Sequence, residues 1–193
     1  MKRITAFVKK LSGGDFLFGI FILLMIIPQT GQPIQVGINR LKMMVWSPSI
    51  EDDETQPTIT AFDYSLRNLD NENVIQPIGE GRITFLSLWA TWCAPCVAEL
   101  PSIEALYQDY RDRIDFVLVT HENPELVRGF LQKKDLNLPV YFPASTLPEG
   151  LQSKSLPTNY LIDGEGNILV KETGAANWNS KKVRGLLDKL LVE

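Results

Sequence analysis

Residues 89–96, WATWCAPC, constrain the fold more than any other part of the chain. An apolar run at residues 83–88 comes directly before them and has the length and composition of a buried strand. After Cys96, apolar residues recur at spacings of three and four as far as Tyr110, which predicts a helix. Cys93 and Cys96 are therefore expected where a central strand turns into a helix.

This position has chemical consequences for the two thiols. Cys93 is predicted at or near the N-cap of the helix, where free backbone N–H groups and the positive end of the helix dipole stabilise a thiolate. Cys96 follows one turn deeper on the same face, close enough to attack a mixed disulfide formed on Cys93. Pro95 suits the first turn, because its missing N–H leaves no hydrogen bond unmade there.

Length, charge and cysteine count narrow the class of protein. A chain of 193 residues predicts one domain plus an appendage, and a net charge of -4 argues against nucleic acid as a partner. Both cysteines lie in the motif, and His121 is the single histidine, so a four-ligand Cys/His zinc site is disfavoured. We expect no metal ion and no cofactor besides a redox-active Cys93–Cys96 disulfide.

The first 30 residues are predicted to be a membrane anchor or a signal segment. Basic residues precede an unbroken apolar run at residues 16–27, which as a helix spans about 18 Å against about 30 Å of hydrocarbon. That length also suits a cleaved signal peptide. We favour an uncleaved anchor, because no small-x-small cleavage site follows and the helix can extend back to Leu11. The basic N-terminus then predicts a cytoplasmic N-terminus and a domain outside the membrane.

Residues 31–57 are predicted to be a juxtamembrane segment and an acidic linker. Apolar side chains are scattered between Ile34 and Trp46. This part is expected either to lie along the membrane surface, with Trp46 near the interface, or to form a partly ordered linker. The acidic run at residues 51–54 is interpreted as a solvated spacer between the juxtamembrane segment and the folded domain.

Residues 58–193 carry the alternating pattern of an α/β domain with a central mixed β-sheet flanked by helices. Right-handed crossovers are expected to place the first two parallel strands side by side, with the dithiol at the carboxyl edge of the sheet. The predicted strands are 59–64, 74–78, 82–89, 114–120, 139–142, 160–163 and 168–172. Three helices are predicted: one from the dithiol to about residue 111, one at 122–134 and one at 180–192.

The sequence WCAPC at residues 92–96 resembles the active site of the thioredoxin superfamily. Further residues are similar to its TlpA/ResA-like branch of membrane-anchored thiol–disulfide oxidoreductases: Glu99, Pro101, SLPT at 155–158, and LIDG at 161–164 followed by Gly166. The resemblance runs from about Thr58 to the C-terminus. It implies a thioredoxin-like fold with an added N-terminal hairpin and a β-α insertion.

The resemblance also implies a substrate surface around the dithiol. The matching proline of the family, here Pro157, is cis and leaves the backbone of the preceding residue, Leu156, free to pair with a substrate strand. The alternative from the sequence alone is a trans proline at a strand edge. Trp92 is expected to cover one side of Cys93, and Ala94 and Pro95 complete the predicted substrate-binding residues.

Glu99 is the predicted third catalytic residue. It lies three residues after Cys96 on the same helical face, where it is placed to accept a proton from the buried thiol. Thioredoxins use a buried aspartate on the central strand for this, but the matching position here is Ser87, which cannot act as a base. The alternative is an acidic residue favoured near a helix N-terminus. His121, at the end of the second parallel strand, is interpreted as a loop residue without a role in the chemistry.

Together these features predict a monomeric thiol–disulfide oxidoreductase on the outer face of a bacterial inner membrane. The expected task is reduction of protein disulfides, as in cytochrome c maturation, with electrons from a membrane donor. One alternative is a Cu(I)-handling module, which would need a further ligand such as His121. Another is a disulfide-forming oxidant, and a third is a peroxidase, which would need a resolving cysteine outside the motif.

Overall fold

The computed structural model describes residues 14, 17–19, 28–43, 47–49 and 56–192. Most of the predicted anchor at residues 16–27, together with Trp46 and the acidic run at 51–54, lies outside these ranges. Among the helices that are described, none has both the length and the apolar character needed to cross a membrane. The folded domain begins with an isolated β-bridge between Thr58 and Asn167.

Seven strands form one mixed sheet. The strands are β1 Phe62–Arg67, β2 Asn73–Ile78, β3 Thr84–Leu88, β4 Asp115–Val119, β5 Val140–Pro143, β6 Thr158–Ile162 and β7 Ile168–Thr173. Their order in the sheet is β2-β1-β5-β4-β3-β6-β7; β4 lies parallel to β3 and to β5, whereas β6 runs antiparallel to β3. The predicted mixed sheet, and the neighbouring positions of the first two parallel strands, are confirmed.

Four helices have both ends within the described residues: α1 Pro28–Met43, α2 Ala94–Tyr110, α3 Pro124–Lys134 and α4 Lys181–Leu190. A short 3₁₀ turn covers Glu149–Leu151. Three of the helices begin at a capping side chain: Cys93, Asn123 and Ser180 each accept a hydrogen bond from a backbone N–H in the first turn of α2, α3 and α4, respectively.

The added hairpin joins the sheet through the inserted strand. β1 pairs with β2 and, at its end, with β5, so the α3–β5 insertion lies between the hairpin and the central strands. The sequence predicted that the hairpin begins at Ile59, but its first strand begins at Phe62. The reason is that Ile59 pairs elsewhere: its N–H donates to the carbonyl of Gly166 in the β6–β7 turn at 2.9 Å.

Two apolar clusters cover the two faces of the sheet. The larger cluster joins β3 and β4 to α2, α3 and α4 and contains both cysteines. The smaller cluster joins the hairpin, the central strands and the 3₁₀ turn, with Tyr64 and Tyr160 as its largest side chains. The central strands are thus buried on both faces, which explains why β3 reads as a continuous apolar run.

The sequence allowed two forms for the segment from residue 31, one lying along the membrane surface and the other a partly ordered linker. The structure shows a helix here, α1, which packs against α2 and is therefore an ordered element. Val36 and Met43 are seven residues apart on one helical face, and they pack with Ala98 and Ala175. Pro28, Pro33 and two glycines in the segment obscured this spacing in the sequence.

Candidate active site

Cys93 and Cys96 form a disulfide at the carboxyl end of β3, with 5.2 Å between their Cα atoms. Cys93 is the N-cap of α2, and its Sγ accepts a hydrogen bond from the N–H of Cys96 at 3.3 Å. Cys96 is fully buried, while Cys93 retains 5% of its surface. Cys93 is therefore the sulfur that an incoming substrate can reach, and a negative charge on it would face the free N–H groups of the helix terminus.

Two side chains that are distant in sequence hold Thr91, in the loop that leads to Cys93, through hydrogen bonds. The carboxylate of Glu122 accepts the Thr91 N–H at 2.6 Å and the Thr91 hydroxyl at 2.7 Å. From α1, the side-chain amide of Gln32 donates to the Thr91 carbonyl at 3.0 Å. All the polar groups of Thr91 are thus bonded two residues before the nucleophile. Glu122 was not among the residues predicted for the site, although its place just after β4 puts it at the same sheet edge as the dithiol.

Glu99 is buried, with 1% of its surface exposed, and its carboxyl group accepts three hydrogen bonds. Asn159 Nδ2 donates to Oε1 at 2.9 Å, while the Ala176 N–H and Trp178 Nε1 donate to Oε2 at 3.2 and 3.3 Å. Burial raises the pKa of Glu99 to about 8, because desolvation outweighs the three donors, which lower it. The carboxyl group therefore exchanges its proton in the range where thiols do.

A second buried polar pair lies on the strands beside Glu99. Ser87 on β3 and Asn159 on β6 are direct partners across the antiparallel ladder, and both are fully buried. Ser87 Oγ and Asn159 Oδ1 have no hydrogen-bond partner within the described parts of the chain. The position that holds the thioredoxin aspartate is thus a neutral hydroxyl here, and the only ionisable member of this cluster is Glu99.

The Leu156–Pro157 bond is cis, as the family resemblance implied. The Pro157 carbonyl accepts the N–H of Gly174 at 2.9 Å, which ties this loop to the end of β7. Leu156 packs partly buried against the apolar cluster that contains both cysteines. Leu156 thus contributes to the core that encloses the dithiol, while Ala94 and Pro95 form the first turn of α2.

A cavity of about 870 Å³ opens beside the dithiol loop, between it and the ends of β4 and β5. Trp92 lines it with 68% of its surface exposed, and Leu156 and His121 also line it. Trp92 is therefore a wall of an open cleft. His121 shares this cleft but is not joined by a cluster of ligands: in the described ranges, no three His, Cys, Asp or Glu side chains are grouped to hold a metal ion.

Relatives in sequence share the region that builds this site. The family model described as the AhpC/TSA family matches residues 58–171. The thioredoxin-like protein YneN of Bacillus subtilis is 30% identical over 132 residues, which are 66% of this chain and 76% of YneN. The thiol-disulfide oxidoreductase ResA of Bacillus cereus is 26% identical over 179 residues, covering 90% of this chain and 95% of ResA.

The fold agrees with a solved relative. The crystal structure of StoA from Bacillus subtilis matches with a TM-score of 0.52 and 23% identity, over 71% of this chain and all of StoA. By the family match over residues 58–171 and by the likeness to YneN, the chain belongs to the AhpC/TSA family, as a thioredoxin-like thiol–disulfide oxidoreductase.

Proposed function

We propose that the chain reduces protein disulfides on the outer side of the cytoplasmic membrane. The observation that carries the proposal is the arrangement along α2: a dithiol pair at the helix N-cap and a buried carboxyl group of pKa about 8 in its second turn. One group is placed to attack a disulfide and the other to hold the proton that must leave a buried thiol.

The first step is attack on the substrate. In the reduced protein, the Cys93 thiolate attacks one sulfur of the substrate disulfide, forming a mixed disulfide and releasing the other substrate sulfur as a thiolate, which takes a proton from water. The free N–H groups at the start of α2 stabilise the attacking thiolate. Cys96 is buried beneath this position, so the substrate meets Cys93 first.

The second step resolves the mixed disulfide. Cys96 gives its proton to the Glu99 carboxylate and attacks Cys93 Sγ, which restores the Cys93–Cys96 disulfide and releases the second substrate thiolate. With a pKa of about 8, Glu99 is nearly as strong a base as a thiolate, whose ordinary pKa is about 8.5. Proton transfer between them is therefore close to balanced. The two electrons of the dithiol end on the substrate, the second substrate thiolate takes its proton from water, and Glu99 returns the proton of Cys96 to solvent.

The substrate is proposed to lie across the surface formed by Trp92 and the cis-proline loop. Leu156 packs against the apolar cluster that contains both cysteines, and the cleft continues past Trp92 toward the end of β5. An extended polypeptide is the ligand that suits this surface, because a strand pairs through its backbone and accepts many sequences. Ala94 and Pro95 supply the contact on the other side of Cys93.

A redox titration of the Cys93–Cys96 couple is the direct test. We expect a reducing couple, near the potential of thioredoxin at about -270 mV, measured by equilibration with thiol buffers and trapping of free thiols. A potential near that of DsbA, about -120 mV, would instead assign the chain to the disulfide-forming oxidants. Copper analysis of the reduced protein and a peroxide consumption assay test the two remaining alternatives.

The location is a separate part of the proposal. The basic N-terminus and the apolar run at residues 16–27 support a single-pass anchor with the domain outside, supplied with electrons by a membrane protein. We expect the mature chain to stay with membranes after a carbonate wash and to retain its N-terminus. A soluble form beginning between residues 29 and 45 would show a cleaved signal. A role in cytochrome c maturation follows if substrates trapped on Cys93 are haem-binding polypeptides.

A further inference from the structure

Helix α1 carries apolar side chains on two opposite faces. At about 100° per residue, Gln32, Val36 and Met43 fall on one face. Ile34, Ile38 and Leu41 fall on the other face, within about 60° of one another. We call these three residues the outer stripe. Met43 on the inner face is 8% exposed, whereas Ile38 and Leu41 in the outer stripe are 56% and 68% exposed.

The inner face of α1 packs against α2 and is hydrogen-bonded to the loop that precedes it. Val36 and Met43 pack with Ala98 of α2, and Gln32 bonds the Thr91 carbonyl at 3.0 Å. Thr91 precedes the nucleophile Cys93 by two residues. The N-terminal end of α1 is therefore fixed beside the dithiol, so any surface that α1 contacts through its other face is held at a set distance from Cys93.

The outer stripe has the chemistry of an interfacial helix. Three large aliphatic side chains lie in a row, with Lys42 about 70° round the helix from the centre of that row and Arg40 about 130° from it on the other side. A basic residue beside an apolar stripe is typical of helices that lie in the headgroup region of an anionic bilayer. Exposing such a stripe to water has a cost of roughly 25 cal/mol for each Å².

The orientation of α1 relative to the membrane follows from its distance to the predicted anchor. The apolar run predicted to enter the membrane ends at residue 27, and α1 starts at Pro28. Ile34 lies about 9 Å along the helix from Pro28 and Leu41 about 20 Å, at a rise of 1.5 Å per residue. A helix that stood upright would carry the outer stripe away from the lipid. A helix that lies flat places the whole stripe on it.

We propose that α1 lies in the membrane interface, with the outer stripe in the lipid and the inner face holding the dithiol next to the bilayer. This proposal rests on the anchored location given above. The partner is the phospholipid surface itself. The consequence is a preference for disulfides held close to the membrane, because the dithiol cannot leave the interface without freeing α1 from α2 or from the lipid.

The position of α1 is tested with a nitroxide label. The full chain with Cys93→Ser and Cys96→Ser carries one new cysteine, either Leu41→Cys or Ile75→Cys, and is placed in vesicles of phosphatidylethanolamine and phosphatidylglycerol. Ile75, on β2, is the matched control because it is 66% exposed, against 68% for Leu41. We expect the label at position 41 to be relaxed mainly by oxygen and the label at 75 by a water-soluble nickel complex. Equal nickel accessibility, or dipolar broadening from a second copy, would overturn the proposal.

The functional consequence is tested with two substrates of one sequence. The same disulfide peptide is offered free in solution and attached to a lipid in those vesicles. Replacing the outer stripe with Ile34→Gln, Ile38→Gln and Leu41→Gln keeps good helix formers and removes the apolar surface. We expect reduction of the lipid-attached peptide to slow about tenfold, because the effective concentration at the interface is lost.

The free peptide separates this proposal from the proposed function. It should be reduced at the unaltered rate by the stripe variant, and both substrates should be reduced normally by the control variant Ile75→Gln with Leu126→Gln. Failure of the unaltered protein to reduce the free peptide would contradict the proposed function. Equal rates for the stripe variant and the unaltered protein on the lipid-attached peptide would contradict the interfacial position alone.

Discussion

Cys93 and Glu99 lie about 1.7 turns apart at the start of one helix, yet their surroundings are opposite. Cys93 is at the N-cap, next to the exposed Trp92, where helix N–H groups favour a negative charge. Glu99 is enclosed, and its desolvation favours the neutral acid strongly enough to raise its pKa to about 8. The difference shows that one helix serves two purposes: its N-terminus stabilises a negative charge on Cys93, and the buried carboxyl group of Glu99 one to two turns later can hold a proton.

Removing either sulfur should have the largest effect, because disulfide exchange at the N-terminus of α2 needs both thiols. Cys93→Ser should abolish disulfide reduction and form no mixed disulfide. Cys96→Ser should abolish turnover but accumulate substrates covalently bound to Cys93. The measurement is non-reducing electrophoresis after reaction with a substrate protein. If Cys96→Ser traps nothing while Cys93→Ser does, the roles of the two sulfurs are reversed.

Removing the charge of Glu99 should break the other half of the comparison. Glu99→Gln should leave attack by Cys93 intact and slow resolution by about 10²-fold, the low end for loss of a positioned base, since water can substitute. The measurement is mixed-disulfide decay in single turnover across pH. Glu80→Gln, at an exposed position, is the matched control. An unchanged rate and pH profile for Glu99→Gln would reduce Glu99 to a structural residue.

The site can accept this glutamine without refolding. Asn159 Oδ1 has no partner among the residues that the structure describes, so the Asn159 amide can turn and accept from the new Gln amide. The single side-chain oxygen of the glutamine then takes the place of Glu99 Oε2 and keeps the Ala176 N–H and Trp178 Nε1 as donors. A donor would face a donor only if Asn159 were prevented from turning.

The buried acid should also make stability depend on pH. The pKa of Glu99 is higher in the folded state, at about 8, than its ordinary value of 4.5, so the folded protein binds the proton more tightly. The resulting stabilisation is complete below about pH 4.5 and is lost as the pH rises through about 8. Urea unfolding near pH 5 and near pH 9 should show a loss on the order of a few kcal/mol that Glu99→Gln lacks. Parallel curves for the two proteins would contradict the raised pKa.

Asn159 offers the smallest and sharpest change. Its amide donates to Glu99 and lowers the pKa of that carboxyl group, so Asn159→Leu should raise the pKa further. Less Glu99 is then ionised at neutral pH, and resolution should slow several-fold with its pH profile displaced upward. Ser87→Ala is the control, because the Ser87 hydroxyl has no partner within the described residues. A profile that stays in place for Asn159→Leu would show that this hydrogen bond does not tune Glu99.

Local patterns in the sequence were enough to predict the strand–helix junction of the dithiol. The apolar run before it and the three-and-four spacing after it concern neighbouring residues, which is why β3 and α2 were found nearly to their ends. The cis bond before Pro157 came from the family resemblance, since the residues themselves allow either isomer.

The partners of the site could not be predicted, because each is distant in sequence. Asn159 and Trp178 reach Glu99 only after β6 and α4 have packed on α2. Glu122 and Gln32 meet at Thr91 from opposite directions along the chain. The ring of Trp178 is buried in the core, but the hydrogen bond from its indole N–H depends on a carboxylate many residues away.

The contacts of α1 impose an order on the making of the protein. Met43 packs with Ala98 and Ala175, and Ala175 leaves the ribosome after almost the entire domain has been synthesised. α1 is made before every strand of the sheet, yet its inner face has no complete partner until β7 has been made. The docking of α1 can therefore be completed only after residue 175 has been made.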